Sequence, residues 1–165
     1  MPEKPALKVI IDTNLWISFL IGKELANLKN LIVDQAIQVV LCEQIIEEIN
    51  LVTQRPKLQK YFPVTKVQEL LELLRIIGLW IEITSEVSMC RDAKDNYLLA
   101  LAKDSQADVL ITGDGDLLSL VNFEGTEILT YKDCKDSGLK NGNELGHRKV
   151  VTRMGRNSLT EKSHY

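Results

Sequence analysis

Histidine is almost missing from this chain. Of 165 residues only His147 and His164 are histidines, and both fall in a polar C-terminal stretch. The expected core therefore holds no Ser-His-Asp or Cys-His pair and no histidine-metal centre. Cysteine is nearly as scarce. Cys42, Cys90 and Cys134 are odd in number, scattered and never in a C-x-x-C pair. That pattern argues against a disulfide framework and against a zinc site, and three reduced thiols are expected. Long apolar runs are absent too: the greasiest stretch, Leu70 to Ile83, is broken by Glu72, Arg75 and Glu82 and is too short to cross a bilayer as a helix. Met1 to Asn14 carries Glu3 and Asp12 around its apolar run and has no small-residue cleavage signal, so it is not expected to be an export sequence; with no span either, no membrane partner is expected and the cytoplasm is the expected location. Chemistry in such a core has to run on carboxylates.

What is present is an ordinary globular mixture, 45% hydrophobic and 26% charged, on a length that suits one domain. The net charge of −3 conceals an asymmetry, because residues 132–165 hold eight Lys/Arg against four Asp/Glu, which leaves −7 before them and +4 within them. The expected organisation is a folded domain over residues 1–131 and a basic, flexible tail over 132–165, where Gly138, Gly142, Gly146 and Gly155 break any periodicity. Two readings of the tail stand: a solvated extension, or an arm that holds nucleic acid.

Within 1–131, short β-branched apolar runs alternate with longer segments of helical period, the pattern of a parallel sheet covered by helices. Strands are predicted at Lys8–Ile11, Gln38–Leu41, Ile81–Ile83, Val109–Ile111 and Glu127–Leu129. One helix is marked by Leu25, Leu28, Ile32 and Ala36, another by Val67, Leu70, Leu71 and Leu74. Right-handed crossovers would bring the carboxyl ends of these strands to a common edge, where sites form.

Acids collect at that edge. Asp12 directly follows Val9-Ile10-Ile11, and Asp114 and Asp116 follow Val109-Leu110-Ile111 in the run Thr112-Gly113-Asp114-Gly115-Asp116-Leu117. Helix capping accounts for Asp12 taken alone, and turn chemistry with two glycines accounts for the pair; two strands delivering acid to one edge is the additional fact. On the next helix Glu48 shares the apolar stripe of Ile45 and Val52, whereas Glu47 falls among Glu43, Asn50 and Gln54 on the wet side. Asp95 likewise stands three, four and seven residues before Leu98, Leu99 and Ala102, and the cap of that helix is assigned to Asp92. Inward acids are costly unless paired or bound to a metal. Asp12, Glu48, Asp95 and Asp114 would repel by roughly 4 kcal/mol per close pair at an intermediate dielectric. No Lys or Arg lies at the matching strand ends, so a hard divalent cation, Mg²⁺ or Mn²⁺, is the expected partner, able to activate water and neutralise charge on a phosphodiester.

Taken in order, Val9-Ile10-Ile11-Asp12-Thr13-Asn14, Glu48-Ile49 with Arg55-Pro56-Lys57, Arg91-Asp92-Ala93-Lys94-Asp95-Asn96 and Thr112-Gly113-Asp114-Gly115-Asp116-Leu117 resemble the PIN-domain nucleases, in particular the bacterial group assigned as toxins of toxin-antitoxin systems (VapC-like). The resemblance spans about residues 7–131. It implies an α/β fold, a three-layer α/β/α sandwich around a central parallel five-stranded sheet, and a Mg²⁺- or Mn²⁺-dependent endoribonuclease. By position Asp12, Glu48, Asp95 and Asp114 match the family's catalytic and metal-holding acids, Asp116 its accessory metal acid, and Thr13, Asn14 and Thr112 the polar residues that orient ligands or water. Ala93 replaces a proline common in that group. The implied partners are an RNA substrate, a cognate antitoxin and a second copy of the chain.

Arg55, Lys57 and Lys60, beside Tyr61 and Phe62, offer positive charge and aromatic faces to RNA; an ordinary interhelix loop is the competing account. Two other enzyme classes fail on single positions. An aspartyl phosphatase wants an acid where Asn14 stands, and a phosphoacceptor receiver wants one after Ile83, where Thr84-Ser85 stand. A catalytically silent PIN-like module binding RNA or a partner, and a housekeeping RNA-processing nuclease, stay open as alternatives.

Overall fold

The computed structural model describes residues 6–22, 24–34 and 36–136. Its elements, in chain order, are β1 (Leu7–Ile11), α1 (Thr13–Ile21), α2 (Glu24–Val33), β2 (Ile37–Leu41), α3 (Glu43–Thr53), α4 (Val64–Ile77), β3 (Leu79–Trp80), α5 (Ala93–Ser105), β4 (Val109–Ile111), α6 (Gly115–Leu118), β5 (Asn122–Phe123), β6 (Thr126–Leu129) and α7 (Tyr131–Asp136). The sheet order is β3-β2-β1-β4-β6-β5. Five strands run parallel, as expected, and β5 adds a two-residue antiparallel edge against β6.

Strands β1 and β4 form the middle of this sheet, paired Val9 to Val109, Ile10 to Leu110 and Ile11 to Ile111. All six of these side chains have zero exposure. Because successive residues of a strand point to opposite faces, burial of all of them means that both faces are covered by helices, which is the layered sandwich that continuous β-branched runs predict. From β1 the chain moves out through β2 to β3, then returns to the other flank of β1 to lay down β4. The connections after β1 and β4 therefore diverge, and the crevice between their carboxyl ends is the switch point at which open α/β sheets build sites. Asp12 and Thr112 are the first residues past those two strands. The Asp12 amide donates to the Ile111 carbonyl at 2.9 Å, and that of Thr112 to Leu129 at 3.0 Å.

Several expectations need correction. The third strand is Leu79–Trp80, not Ile81–Ile83: the Ile81 amide still donates to the Leu41 carbonyl, but β2 ends at Leu41 and α3 begins at Glu43, so the ladder has no partner beyond. Residues 81–87 keep the alternating burial of a strand without the pairing. At the start of β3, Gly78 is demanded by packing, since a Cβ there would run into Leu41 Cδ1 and the Leu74 carbonyl. Helix α2 stops at Val33, so Ala36 lies outside it. The β5–β6 hairpin was not foreseen; its two loop residues, Glu124 and Gly125, both have positive φ (46° and 90°), the two-residue turn geometry that suits a twisted hairpin.

Residues 132–136 belong to α7, whose Cys134 is fully buried. Tyr131 packs on Phe19 with ring centroids 4.9 Å apart, and its hydroxyl donates to Glu24 Oε2 at 2.8 Å while Lys135 Nζ reaches Glu24 Oε1 at 3.0 Å. The rest of the proposed tail, 137–165, lies outside the described residues. Among the described residues no disulfide forms, and no helix is long and apolar enough to cross a membrane.

Candidate metal centre

Asp12 caps α1, its Oδ1 accepting from the Asn14 amide at 3.3 Å. The capping account was therefore correct, yet capping is only half of what Asp12 does. Its Oδ2 accepts a 2.8 Å hydrogen bond from Thr112 Oγ1, across one hundred residues of sequence. Asp12 is 3% exposed, and Thr13 and Thr112 have no exposure at all. Asn14 is exposed. Thr112 Oγ1 in turn accepts from the Asp114 amide at 3.1 Å, so one hydroxyl ties the ends of β1 and β4 together and fixes where the next acid begins.

Asp114 caps α6, with Oδ1 accepting from the amides of Asp116 and Leu117 at 2.8 and 3.2 Å. The neighbouring glycines are not there for unusual backbone angles: neither is among the positive-φ residues, and a Cβ on Gly113 or Gly115 would meet nothing within 4 Å. They leave open space beside Asp114. Asp116 is half exposed and pairs with Arg91 at 3.4 Å, where Arg91 is 90% exposed, a geometry worth little in water.

Helix α5 brings two acids to its start. Asp92 is its cap, accepting from the Lys94 amide, and Asp95 is buried at 3% exposure. Both assignments agree with the helical spacing. Asp95, Asp114 and Asp116 each present a carboxylate oxygen within 4.8 Å of the others. Asp95 Oδ2 is buried and has no hydrogen-bond partner. Burial above all, then the charges of Asp114, Asp92 and Asp12, pushes the Asp95 carboxyl up to about 6 from an ordinary 3.8, against the opposing pull of Lys94. A buried carboxylate oxygen without a donor calls for an explanation, and a hard cation with oxygen ligands fits this trio.

Asp12 and Glu48 are not part of that trio. Glu48, half-buried on α3, is held by Lys94 Nζ at 3.1 Å on Oε1 and by the Tyr97 hydroxyl at 2.8 Å on Oε2. Lys94 Nζ also lies 3.7 Å from Asp12 Oδ1. No Lys or Arg stands at the strand ends, as the sequence indicated, but a basic side chain does enter the acidic edge, from the first turn of α5. Lys94 and Tyr97 were missed as site residues. They are three residues apart in a helix and so share a face, and Lys94 sits inside the Arg91–Asn96 run, but apolar residues surround so much of this helix that the face does not stand out in the sequence. The Asn96 side chain secures that approach by exchanging two hydrogen bonds with the Cys90 backbone at 2.8 and 3.0 Å.

Arg55, Lys57 and Lys60 are all exposed on the turns between α3 and α4, where Lys60 Nζ lies 4.9 Å from the Tyr61 ring centroid. Among the described residues no ion pair joins them to the acids. A cleft of about 380 Å³ opens beside them, lined by Asn50, Gln54, Gln59, Phe62, Val67 and Gln68 among others. None of the five acids lines it, so the chemistry is placed at the sheet edge and not in this cleft.

Fold and site together define an α/β domain with an acidic crevice at its sheet switch point. The chain belongs to the PIN domain family, whose pattern it matches over residues 8–116 and whose members are generally metal-dependent nucleases. It is 34% identical over 121 residues to the uncharacterized protein MJ1680 of Methanocaldococcus jannaschii, covering 72% of this chain and 77% of that protein. No solved structure matches.

Proposed function

We propose that the protein is a divalent-metal-dependent endoribonuclease acting as the toxin of a toxin-antitoxin pair. The observations that carry the nuclease reading are that Asp95, whose Oδ2 is buried without a donor, brings a carboxylate oxygen within 4.8 Å of those of Asp114 and Asp116, and that Asp12 beside them is locked to the end of β4. In this reading Asp95, Asp114 and Asp116 hold Mg²⁺ or Mn²⁺, and Asp12 and Glu48 complete the catalytic acids. A cation bound there supplies Lewis-acid stabilisation of a phosphodiester and lowers the pKa of water. The chain's own residues do the rest. Thr112 and the Asn14 amide orient Asp12, Thr13 lines the same buried corner, and Gly113 and Gly115 leave room for a polynucleotide to approach Asp114. Arg55, Lys57 and Lys60 contact RNA phosphate away from the acids.

The toxin role and the choice of RNA rest on the likeness of the Val9–Asn14 and Arg91–Asn96 runs to the bacterial toxin group; an antitoxin and a homodimer are the partners that go with it. The nuclease reading is tested by cleavage of mixed RNA pools with magnesium or with chelator, wild type beside Asp12→Asn. Magnesium-stimulated cleavage that the folded variant lacks supports it; equal cleavage by both proteins discards the assignment. A short neighbouring reading frame whose product neutralises the protein supports the toxin role, and harmless overexpression of an active enzyme counts against it. Sedimentation reads the oligomeric state.

A second reading has one observation in its favour. Lys94 already neutralises part of the acidic edge, as a catalytically silent RNA- or partner-binding module would require. A wild type that binds RNA and cuts none under the same magnesium conditions selects it.

A further inference from the structure

The two sides of the acidic crevice differ in one respect that the family resemblance does not address. Every oxygen of Asp12 and Glu48 has a partner from this chain: Asp12 Oδ1 accepts from the Asn14 amide and lies 3.7 Å from Lys94 Nζ in an ion pair, Asp12 Oδ2 accepts from Thr112, Glu48 Oε1 pairs with Lys94 Nζ at 3.1 Å, and Glu48 Oε2 accepts from Tyr97. On the other side Asp95 Oδ2 is buried with none, and the positive charge nearest Asp116 is the almost fully exposed Arg91.

We infer that Lys94 is a built-in counter-ion that holds Asp12 and Glu48 as a hydrogen-bonded wall, so that the crevice takes a single divalent cation, on the Asp95, Asp114 and Asp116 side. This rests on the metal-centre reading above. A second divalent ion between Asp12 and Glu48 has to displace an ammonium that touches both carboxylates, one of them 3% exposed, or else lie beside it against like-charge repulsion. The ammonium is itself held in place, because Lys94 is in the first turn of α5, whose cap Asp92 accepts from the Lys94 amide, and Tyr97 one turn on grips the same glutamate. Lys94 thus acts through the two acids it pairs with. It is a positioning residue that sets the number of ions.

The test is a count of bound Mn²⁺ on the full chain, by calorimetric titration checked against the electron-spin signal of free Mn²⁺, with no RNA present. Wild type is expected to bind one equivalent. Lys94→Gln removes the charge and is expected to bind two, whereas Lys94→Arg restores the charge and the count of one. Two equivalents on the wild type overturn the inference and leave the nuclease reading standing, as does a Lys94→Gln protein that still binds one, or a Lys94→Arg protein that binds two. Absence of Mn²⁺ binding by all three overturns the metal centre itself and the inference with it. Should Lys94→Gln not fold, the wild-type and Lys94→Arg counts decide, one in both supporting the inference and two in either refuting it.

Discussion

The acidic crevice has a finished wall and an unfinished one. On the wall made by Asp12 and Glu48, partners from Thr112 just past β4, from α1 and from α5 meet every carboxylate oxygen, and the charge is balanced from within the chain. On the wall made by Asp95, Asp114 and Asp116, three carboxylates bring oxygens within 4.8 Å of one another, Asp95 Oδ2 is buried without a donor, and burial and neighbouring charge disfavour ionisation of Asp95. Local mutual satisfaction is what folding alone favours. The second wall departs from it, and departures of that kind mark the places where a sequence answers to something other than its own stability.

The largest effect expected from this asymmetry is on cleavage. In the proposed nuclease, Asp95→Asn or Asp114→Asn removes a direct metal ligand. Metal stabilisation of phosphodiester charge is worth several kcal/mol, so kcat/KM with Mg²⁺ should fall on the order of 10³-fold. Glu48→Gln disturbs a residue that acts through Lys94 and Tyr97, and should cost roughly 10- to 100-fold, the range of outer-layer partners in metal sites. The reverse ranking, with Glu48 more damaging than Asp95, would break the division between the walls.

A smaller effect follows from charge. The Asp95 pKa is raised in the folded protein, to about 6, above its unfolded value near 3.9. The folded state therefore binds the proton more tightly, and the stability it gains is fully present below pH 4 and lost as pH climbs through 6. In chelator, urea unfolding at pH 4.5 and 7.5 should show a loss on the order of 2 kcal/mol that Asp95→Asn does not share. Added Mn²⁺ should restore stability at pH 7.5 in the wild type only, since an ion bound to the folded state alone stabilises it by mass action. Identical pH profiles for the two proteins would mean that Asp95 is not held against its preference.

How much of this was legible in the sequence depends on the kind of signal each residue gave. Asp12 and Asp114 could be placed because continuous apolar runs are buried strands, and the residue after such a strand has one place to go. Glu48 and Asp95 followed from helical period, which also separated Glu47 from Glu48, while Asp92 was set apart from Asp95 as the cap of the helix. Period failed for Lys94. Helix α5 is buried through Leu98, Leu99, Ala100, Leu101 and Ala102, so nearly every direction around it carries apolar residues and no single face stands out. The third strand shifted for a different reason: Ile81 and Ile83 keep the alternation, but a strand needs a partner, and β2 ends too soon. Hairpin β5–β6 rests on two residues and a Glu-Gly turn, too short for any periodicity to register.

The smallest effect is expected at Arg91, and it bears on the open wall from outside. Arg91 reaches both oxygens of Asp116 at 3.4 Å, but its side chain is 90% exposed and that of Asp116 49%. Solvent screens such a pair, and holding two mobile side chains together offsets most of its attraction, so Arg91→Ala should change unfolding free energy by less than about 0.5 kcal/mol. What it should change is the competition for Asp116. Released from the guanidinium, that carboxylate is freer to serve an ion beside Asp95 and Asp114, and an interaction of that size corresponds to about a twofold gain in Mn²⁺ affinity. Calorimetry on Arg91→Ala reads both quantities. A large loss of stability, or weaker Mn²⁺ binding, would show that Arg91 and Asp116 form part of the finished wall, and that the boundary between the two sides has been drawn through the wrong residue.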